Sequence, residues 1–148
     1  DFGPQFVGWL ENRHHRDPDG QTVPLWPLVF HDCVLNARYR PPAWQPEFEG
    51  GPKRQEVEML WGYPLLWGHD DWPTDATEAE RVRESLKVDE WIARVGAEPM
   101  TDHRWLDPSH MIERTEFGSA GSITVNFGPE DATAGGQRVP AHGHLVET

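Results

Sequence analysis

Cysteine is almost absent from this sequence of 148 residues, which contains only Cys33. A single cysteine excludes an intrachain disulfide and a cysteine-based zinc cluster. It is compatible with either redox compartment, so it predicts no cellular location. Because Cys33 ends an apolar segment, we expect it to be a small core residue rather than a nucleophile.

Basic residues are also scarce, since 13 Lys and Arg stand against 25 Asp and Glu and give a formal net charge of −12. Nucleic-acid phosphates favour clustered Lys and Arg, and anionic lipid surfaces attract basic segments. No apolar run approaches the length of a membrane span. The composition therefore predicts neither nucleic acid nor a membrane as a partner.

A signal peptide is not visible either, and the sequence starts at Asp1 without a methionine. Its length suits one ordinary domain or the tail of a larger protein. Because the chain opens in the middle of an apolar segment, we expect the second.

Tryptophan, by contrast, is abundant, with eight residues. Flat aromatic faces suit the C–H-rich faces of sugar rings as well as ordinary protein cores. Most of the eight are expected to pack in a core, and Trp91 is the clearest case because it lies in a helical stretch. The tryptophans between Trp26 and Trp72 cluster around the candidate site described next, which favours carbohydrate as a ligand.

Residues 23–33 form an apolar run that stops at two ionisable groups, His31 and Asp32. Buried parallel strands are near-continuous hydrophobic runs, and the chemistry of α/β folds lies just past the carboxyl ends of such strands. The run therefore predicts a strand over residues 25–30, with His31 and Asp32 facing a ligand. The alternative is an edge strand whose His and Asp form a structural pair.

The rest of the chain predicts helices followed by strands. Residues 55–67 are apolar but interrupted by Gly62 and Pro64, which indicates a short helix that runs into a strand. A capping box over residues 77–80 opens a helix, and the apolar spacing continues to Val95, after which Gly96 ends it. Strands are predicted at 110–117, 122–127 and 142–146.

Residues 23–33, Val-Pro-Leu-Trp-Pro-Leu-Val-Phe-His-Asp-Cys, are similar to the "PLxxLVYHDC" strand of glycoside hydrolases related to the endo-α-N-acetylgalactosaminidases. Residues 114–118, 123–128 and 139–143 resemble the closing β-domain of such enzymes. The resemblance implies an α/β fold with an all-β tail, in which the last strands and helix of a (β/α)8 barrel precede a small antiparallel β-sandwich.

The same resemblance implies a domain division. Residues 1–100 are expected to be the C-terminal part of the barrel, with strand seven at about 23–31 and strand eight within 59–67. Residues 101–148 are expected to be the β-domain. The nucleophile and the general acid of such enzymes come from earlier strands, so the remainder of the parent barrel is the expected partner of this chain.

The function implied is that of a fragment of a glycosidase, which acts on the O-glycosidic bonds of a glycan and needs no cofactor. Hydrogen bonds to ring hydroxyls strengthen as positive charge develops on the sugar. We assign Asp32 this auxiliary stabilising role in catalysis, and His31 a role in binding a hydroxyl. Three tryptophans are candidates for stacking on the sugar, with core packing as the alternative: Trp26, Trp61 and Trp67.

Two other classes of function remain open. The first is a non-catalytic carbohydrate-binding or interaction module, for which the tryptophans and the β tail would suffice. The second is a metal-dependent hydrolase that would use His31, Asp32, His69 and Asp70 as ligands. His142 and His144 are expected on one face of a strand, but no third ligand accompanies them, so we predict no metal.

Overall fold

The computed structural model describes residues 24–33, 38–39, 53–66 and 76–148. Its helices are α1 (Leu25–Phe30), α2 (Lys53–Trp61) and α3 (Ala76–Val95). Two short strands lie between them, β1 (Arg38–Tyr39) and β2 (Leu65–Leu66). The strands that follow α3 are β3 (Met100–Trp105), β4 (Ile112–Phe117), β5 (Gly121–Asn126), β6 (Ala132–Ala134), β7 (Gln137–Val139) and β8 (Gly143–Glu147).

The centre of the fold is a four-stranded antiparallel sheet in the order β3-β4-β5-β8. Strand β4 shows why the sheet has an inner and an outer face. Glu113, Thr115 and Phe117 are buried, whereas Arg114 and Glu116 between them are partly exposed. This period of two matches the alternation of side chains along a strand. The antiparallel β tail predicted from the sequence is thus confirmed.

A second, smaller layer covers part of the outer face of this sheet. Strands β6 and β7 form a hairpin, and β7 contacts β5 and β8. The side-chain amide of Asn126 in β5 donates to the carbonyl oxygens of Glu130 at 2.7 Å and Val139 at 3.3 Å. These bonds attach the hairpin to the sheet, because they satisfy a polar side chain that is 1% exposed.

Helices α2 and α3 pack on the inner face and close a single hydrophobic core. Its members come from both helices and from the sheet: Met59, Leu60, Trp61, Tyr63, Val88, Trp91, Ile92, Val95, Met100, Phe117, Ile123 and Val125. The Trp91 indole donates to the carbonyl oxygen of Met59 at 2.8 Å, which joins the two helices. The core role predicted for Trp91 is therefore confirmed. The hydrophobic core contains residues from both sides of residue 100. The domain boundary predicted at that residue stays a prediction.

The strand predicted over residues 25–30 is wrong, because these residues form helix α1. Short apolar runs do not distinguish a buried strand from a buried helix. Pro24 and Pro27 decide the matter: proline interrupts the hydrogen bonds of a central strand, but it is tolerated in the first turn of a helix. The expectation of a buried Cys33 is also wrong, since this residue is exposed beyond the end of α1.

A barrel is not shown within the described residues. What they contain is a parallel pair, with Arg38 opposite Leu65 and Tyr39 opposite Leu66, and helix α2 between the two strands in sequence. Parallel strands need a crossover connection of this kind. The predicted helix that runs into a strand over residues 55–67 is confirmed as α2 and β2.

Other elements agree with the sequence within a few residues, as element ends usually do. The helix predicted from the capping box is confirmed as α3, and the strands predicted at 110–117, 122–127 and 142–146 are confirmed as β4, β5 and β8. Strands β3, β6 and β7 were not predicted. Among the described residues, no helix is long and apolar enough to cross a membrane.

Candidate functional site

His31 lies in the interior, directly after α1, with 4% of its surface exposed. Its backbone N–H continues the helix by donating to the Pro27 carbonyl at 3.0 Å. Its Nδ1 is 2.7 Å from the carbonyl oxygen of Glu98. Because a carbonyl only accepts, Nδ1 carries the hydrogen, and Nε2 is an acceptor whenever the ring is neutral.

Aromatic rings and one glycine enclose the His31 imidazole. The Phe117 ring lies 4.9 Å away, centroid to centroid, and the Tyr63 ring lies parallel to the imidazole at 6.5 Å. Gly62 ends α2 with a φ of +67°, and a Cβ at this position would stand 2.5 Å from His31 Nε2. Gly62 therefore lets the backbone turn and lets it approach the ring, and no other residue type allows both without strain.

Asp32, unlike His31, is exposed at the surface. One of its carboxylate oxygens, Oδ1, accepts from the Cys33 thiol at 3.2 Å. This hydrogen bond and the negative charge of Asp32 raise the pKa of Cys33, so the thiol is less nucleophilic than an ordinary cysteine. The structure thus separates the predicted pair into an interior imidazole and a surface carboxylate.

The predicted stacking residues have different surroundings. Trp26 is partly exposed, and its ring lies 4.4 Å from that of Phe30. Trp61 is 3% exposed and meets Tyr63 edge to face at 5.8 Å. Trp67 lies outside the described residues, as do His69 and Asp70. Contact of any of these residues with sugar stays a prediction.

Two buried carboxyl groups on α2, Glu56 and Glu58, were missed by the sequence reasoning. They are 7% and 3% exposed. Burial raises the pKa of Glu56 to about 7, and the charge of Glu58 adds to the rise. The Oε2 atom of Glu56 has no hydrogen-bond partner among the described residues. Strongly perturbed buried carboxyls of this kind are concentrated at functional sites.

Replacing Glu56 with Gln is expected to remove a pH dependence of stability. Glu56 has a pKa of 4.5 as a model compound and about 7 in the fold. Because the folded-state pKa is the higher one, the folded chain gains stability from neutral Glu56 below pH 4.5, and this gain is lost as the pH rises to about 7. At about pH 8 the variant should have a free energy of unfolding higher by on the order of 2 kcal/mol.

The measurement is urea unfolding of both chains at pH 4.5 and at about pH 8. Near pH 4.5 the two chains should be almost equally stable, since Glu56 is then largely neutral in the fold. Glu90→Gln is the matched control, because Glu90 is exposed on α3. A Glu56→Gln effect of the same size at both pH values would show that folding does not raise the pKa of Glu56.

Two histidines of the β tail, His142 and His144, were expected on one face of a strand. His142 lies in a turn with a φ of +47°, before β8 begins, so the strand pair predicted with His144 is wrong. Within the described ranges, no group of three or more His, Cys, Asp and Glu side chains could hold a metal ion. His103 instead contacts two neighbours on the inner face, Thr115 Oγ1 at 2.9 Å and Glu113 Oε2 at 3.3 Å.

No protein-family model matches this chain, and no curated protein matches it. The fold is similar to part of a solved glycoside hydrolase, the α-N-acetylgalactosaminidase NagBb from Bifidobacterium bifidum. Its ligand-free structure is 26% identical over 76% of this chain, with a TM-score of 0.54. Its quadruple mutant is 20% identical over 91%, with a TM-score of 0.56, and its GalNAc complex is 22% identical over 86%, with a TM-score of 0.52.

This chain spans only about a fifth of those proteins, 20%, 18% and 20% of their lengths in the three structures. The likeness supports a glycoside-hydrolase-like relationship, which is the coarse form of the resemblance seen in the sequence. The relation to endo-acting enzymes stays a prediction.

Proposed function

We propose that this chain is the C-terminal part of a glycoside hydrolase that acts on α-linked N-acetylgalactosamine. The observation that carries the proposal is the similarity to NagBb. In one NagBb structure the matched region covers 91% of this chain, which is more than the sheet alone. A small sugar-binding module would account for the sheet alone. The shared core of α2, α3 and the sheet favours an integral part of a larger enzyme over such a module.

We propose that this part of the enzyme assists catalysis but supplies neither the nucleophile nor the general acid. In most glycoside hydrolases, two carboxyl groups perform the displacement and the protonation around an oxocarbenium-like transition state. We assign neither role to this chain. Its exposed Asp32 is proposed to accept a hydrogen bond from a sugar hydroxyl and to stabilise the positive charge that develops on the ring.

His31 is proposed to fix the place of Asp32, because its imidazole is held in the interior with Nε2 packed against Gly62. Its role in binding a hydroxyl stays a prediction from the sequence. The bond from Nδ1 to Glu98 attaches the end of α1 to the segment before β3. Asp32 directly follows this anchored residue, so its backbone is held by the same contact. Among the aromatic residues, Trp26 remains the best candidate for stacking because part of its surface is exposed. Trp61 and Trp67 are kept as weaker candidates.

Calorimetric titration of the 148-residue chain with free N-acetylgalactosamine distinguishes the proposed part of an enzyme from a self-sufficient carbohydrate-binding module. A part of an enzyme whose sugar pocket is completed by other segments should show no saturable binding up to about 10 mM sugar. The control is glucose, titrated over the same range. Saturable binding of N-acetylgalactosamine, but not of glucose, by this chain alone would favour the carbohydrate-binding module instead.

A further inference from the structure

Helix α1 is apolar around its whole circumference. Its sequence is Leu-Trp-Pro-Leu-Val-Phe, which contains no charged side chain. A helix that is hydrophobic on all sides is normally buried on all sides. Surface helices of this chain differ, since α3 carries many charged residues. The composition of α1 therefore calls for protein on both of its sides.

Only one side of α1 is covered in the described part of the chain. Pro27 and His31 are buried, and Leu28 packs against the hydrophobic core. On the opposite side, Leu25 is 55% exposed and Val29 is 63% exposed. These two are four residues apart, so they lie one above the other on the same face of the helix.

The exposed apolar surface is concentrated on this helix. Phe30, which is 37% exposed, lies on the adjoining side of the helix, where its ring contacts that of Trp26. We call Leu25, Val29 and Phe30 the outer face of α1. The other large exposed apolar side chains lie elsewhere, Leu86 on α3 and Leu106 and Met111 in the connection between β3 and β4. Contiguous exposed apolar surface marks an interaction site, whereas scattered apolar residues are ordinary.

We infer that the outer face of α1 is covered by the N-terminal part of the parent polypeptide, so that α1 is packed between the β-sheet on one side and the rest of the enzyme on the other. The inference rests on the proposed function. Its support is the length of the similar enzyme, of which this chain spans 20%. Most of a protein of that length lies outside this chain, and its other segments need a surface of this chain to pack against. The other side of α1 is already attached to β3 and to Glu98.

The test is a double substitution on the outer face, Leu25→Glu with Val29→Glu, made in the 148-residue chain and in the polypeptide encoded by the complete reading frame. The apparent unfolding temperature of the 148-residue chain should stay within about 1 °C, because both side chains are exposed there. That of the complete polypeptide should fall by at least about 5 °C, because two charges would then be buried without partners. Leu86→Glu is the matched control, since Leu86 is 56% exposed on α3, and it should change neither protein.

Four outcomes would overturn the inference. An unchanged unfolding temperature of the complete polypeptide shows that its N-terminal part does not cover this face. An equal fall in both proteins shows that another segment of this chain covers it. Dimerisation of the 148-residue chain that the double substitution abolishes, without an effect on the complete polypeptide, assigns the face to a second copy. A reading frame that encodes nothing before Asp1 removes both the partner and the proposed function.

The unfolding experiment is independent of catalysis. If the complete polypeptide loses stability as expected but hydrolyses no α-N-acetylgalactosaminide, the inference stands and the proposed function fails. If it hydrolyses the substrate but does not respond to the double substitution, the proposed function stands and the inference fails.

Discussion

Replacing Asp32 with Asn should lower kcat/KM of the complete enzyme for an aryl α-N-acetylgalactosaminide by at least about 100-fold. Asn has nearly the same shape and keeps an oxygen that can accept a hydrogen bond. It loses the negative charge, which is the part that stabilises an oxocarbenium-like transition state. Steady-state kinetics of the two enzymes, measured under the same conditions, give the ratio directly.

The control for this substitution is Asp89→Asn, which removes the charge of an exposed aspartate on α3. Both variants should unfold at the temperature of the wild-type enzyme, because neither carboxylate is buried. If Asp32→Asn retained kcat/KM within about threefold of wild type, Asp32 would have no part in transition-state stabilisation, since the loss of one such contact costs far more.

Replacing Gly62 with Ala should lower the free energy of unfolding of the 148-residue chain by about 3 kcal/mol. Two separate costs add. The φ of +67° disfavours any residue with a Cβ, and that Cβ would lie 2.5 Å from His31 Nε2. The imidazole has little freedom to move away, because its Nδ1 is bonded to Glu98 and Phe117 contacts the ring.

Gly135→Ala separates the two costs. Gly135 has a similar φ of +58°, but nothing lies within 4 Å of the Cβ that the substitution would add. It should therefore cost only the backbone term, about 1 kcal/mol. Gly62→Ala made in a His31→Ala background should cost less than in the wild-type chain, because the 2.5 Å approach to the imidazole is then removed and only the Phe117 ring, 3.1 Å from the added Cβ, remains close. If Gly62→Ala cost no more than Gly135→Ala in the wild-type chain, the close packing of Gly62 against His31 would be contradicted.

Regular elements with strong local signals could be predicted from the sequence. The sequence of helix α3 has a capping-box pattern at residues 77–80 and apolar residues at helical spacing up to Val95. Strands β4 and β5 have alternating residues and a glycine turn between them, and the pairing of Phe117 with Gly121 reflects that turn. The signal in each case lies in neighbouring residues, so no tertiary information is needed.

Helix α1 was not predictable by periodicity, because every one of its positions is apolar and fits a strand as well as a helix. The positions of Pro24 and Pro27 were the available signal for a helix. Strands β6 and β7 are three residues each and belong to a segment with the composition of a loop. Asn126 attaches the hairpin to β5 through bonds to Glu130 and Val139, and the composition of the segment gives no sign of this attachment.

The roles assigned to the candidate site stay predictions. The abrupt change from apolar to ionisable residues drew attention to His31 and predicted a ring that faces a ligand, whereas the ring lies in the interior of the fold. Glu56 and Glu58 gave no local signal of burial, since acidic residues in a helix are usually solvated. Their burial follows from the packing of α2 against the sheet, which no single segment determines.

Hydrolysis of a chromogenic aryl α-N-acetylgalactosaminide by the polypeptide of the complete reading frame, compared with the 148-residue chain alone, tests the central claim most directly. We predict release of the aryl alcohol by the complete polypeptide and none above the buffer rate by the chain alone. A complete polypeptide that folds but releases no more aryl alcohol than buffer would contradict the claim.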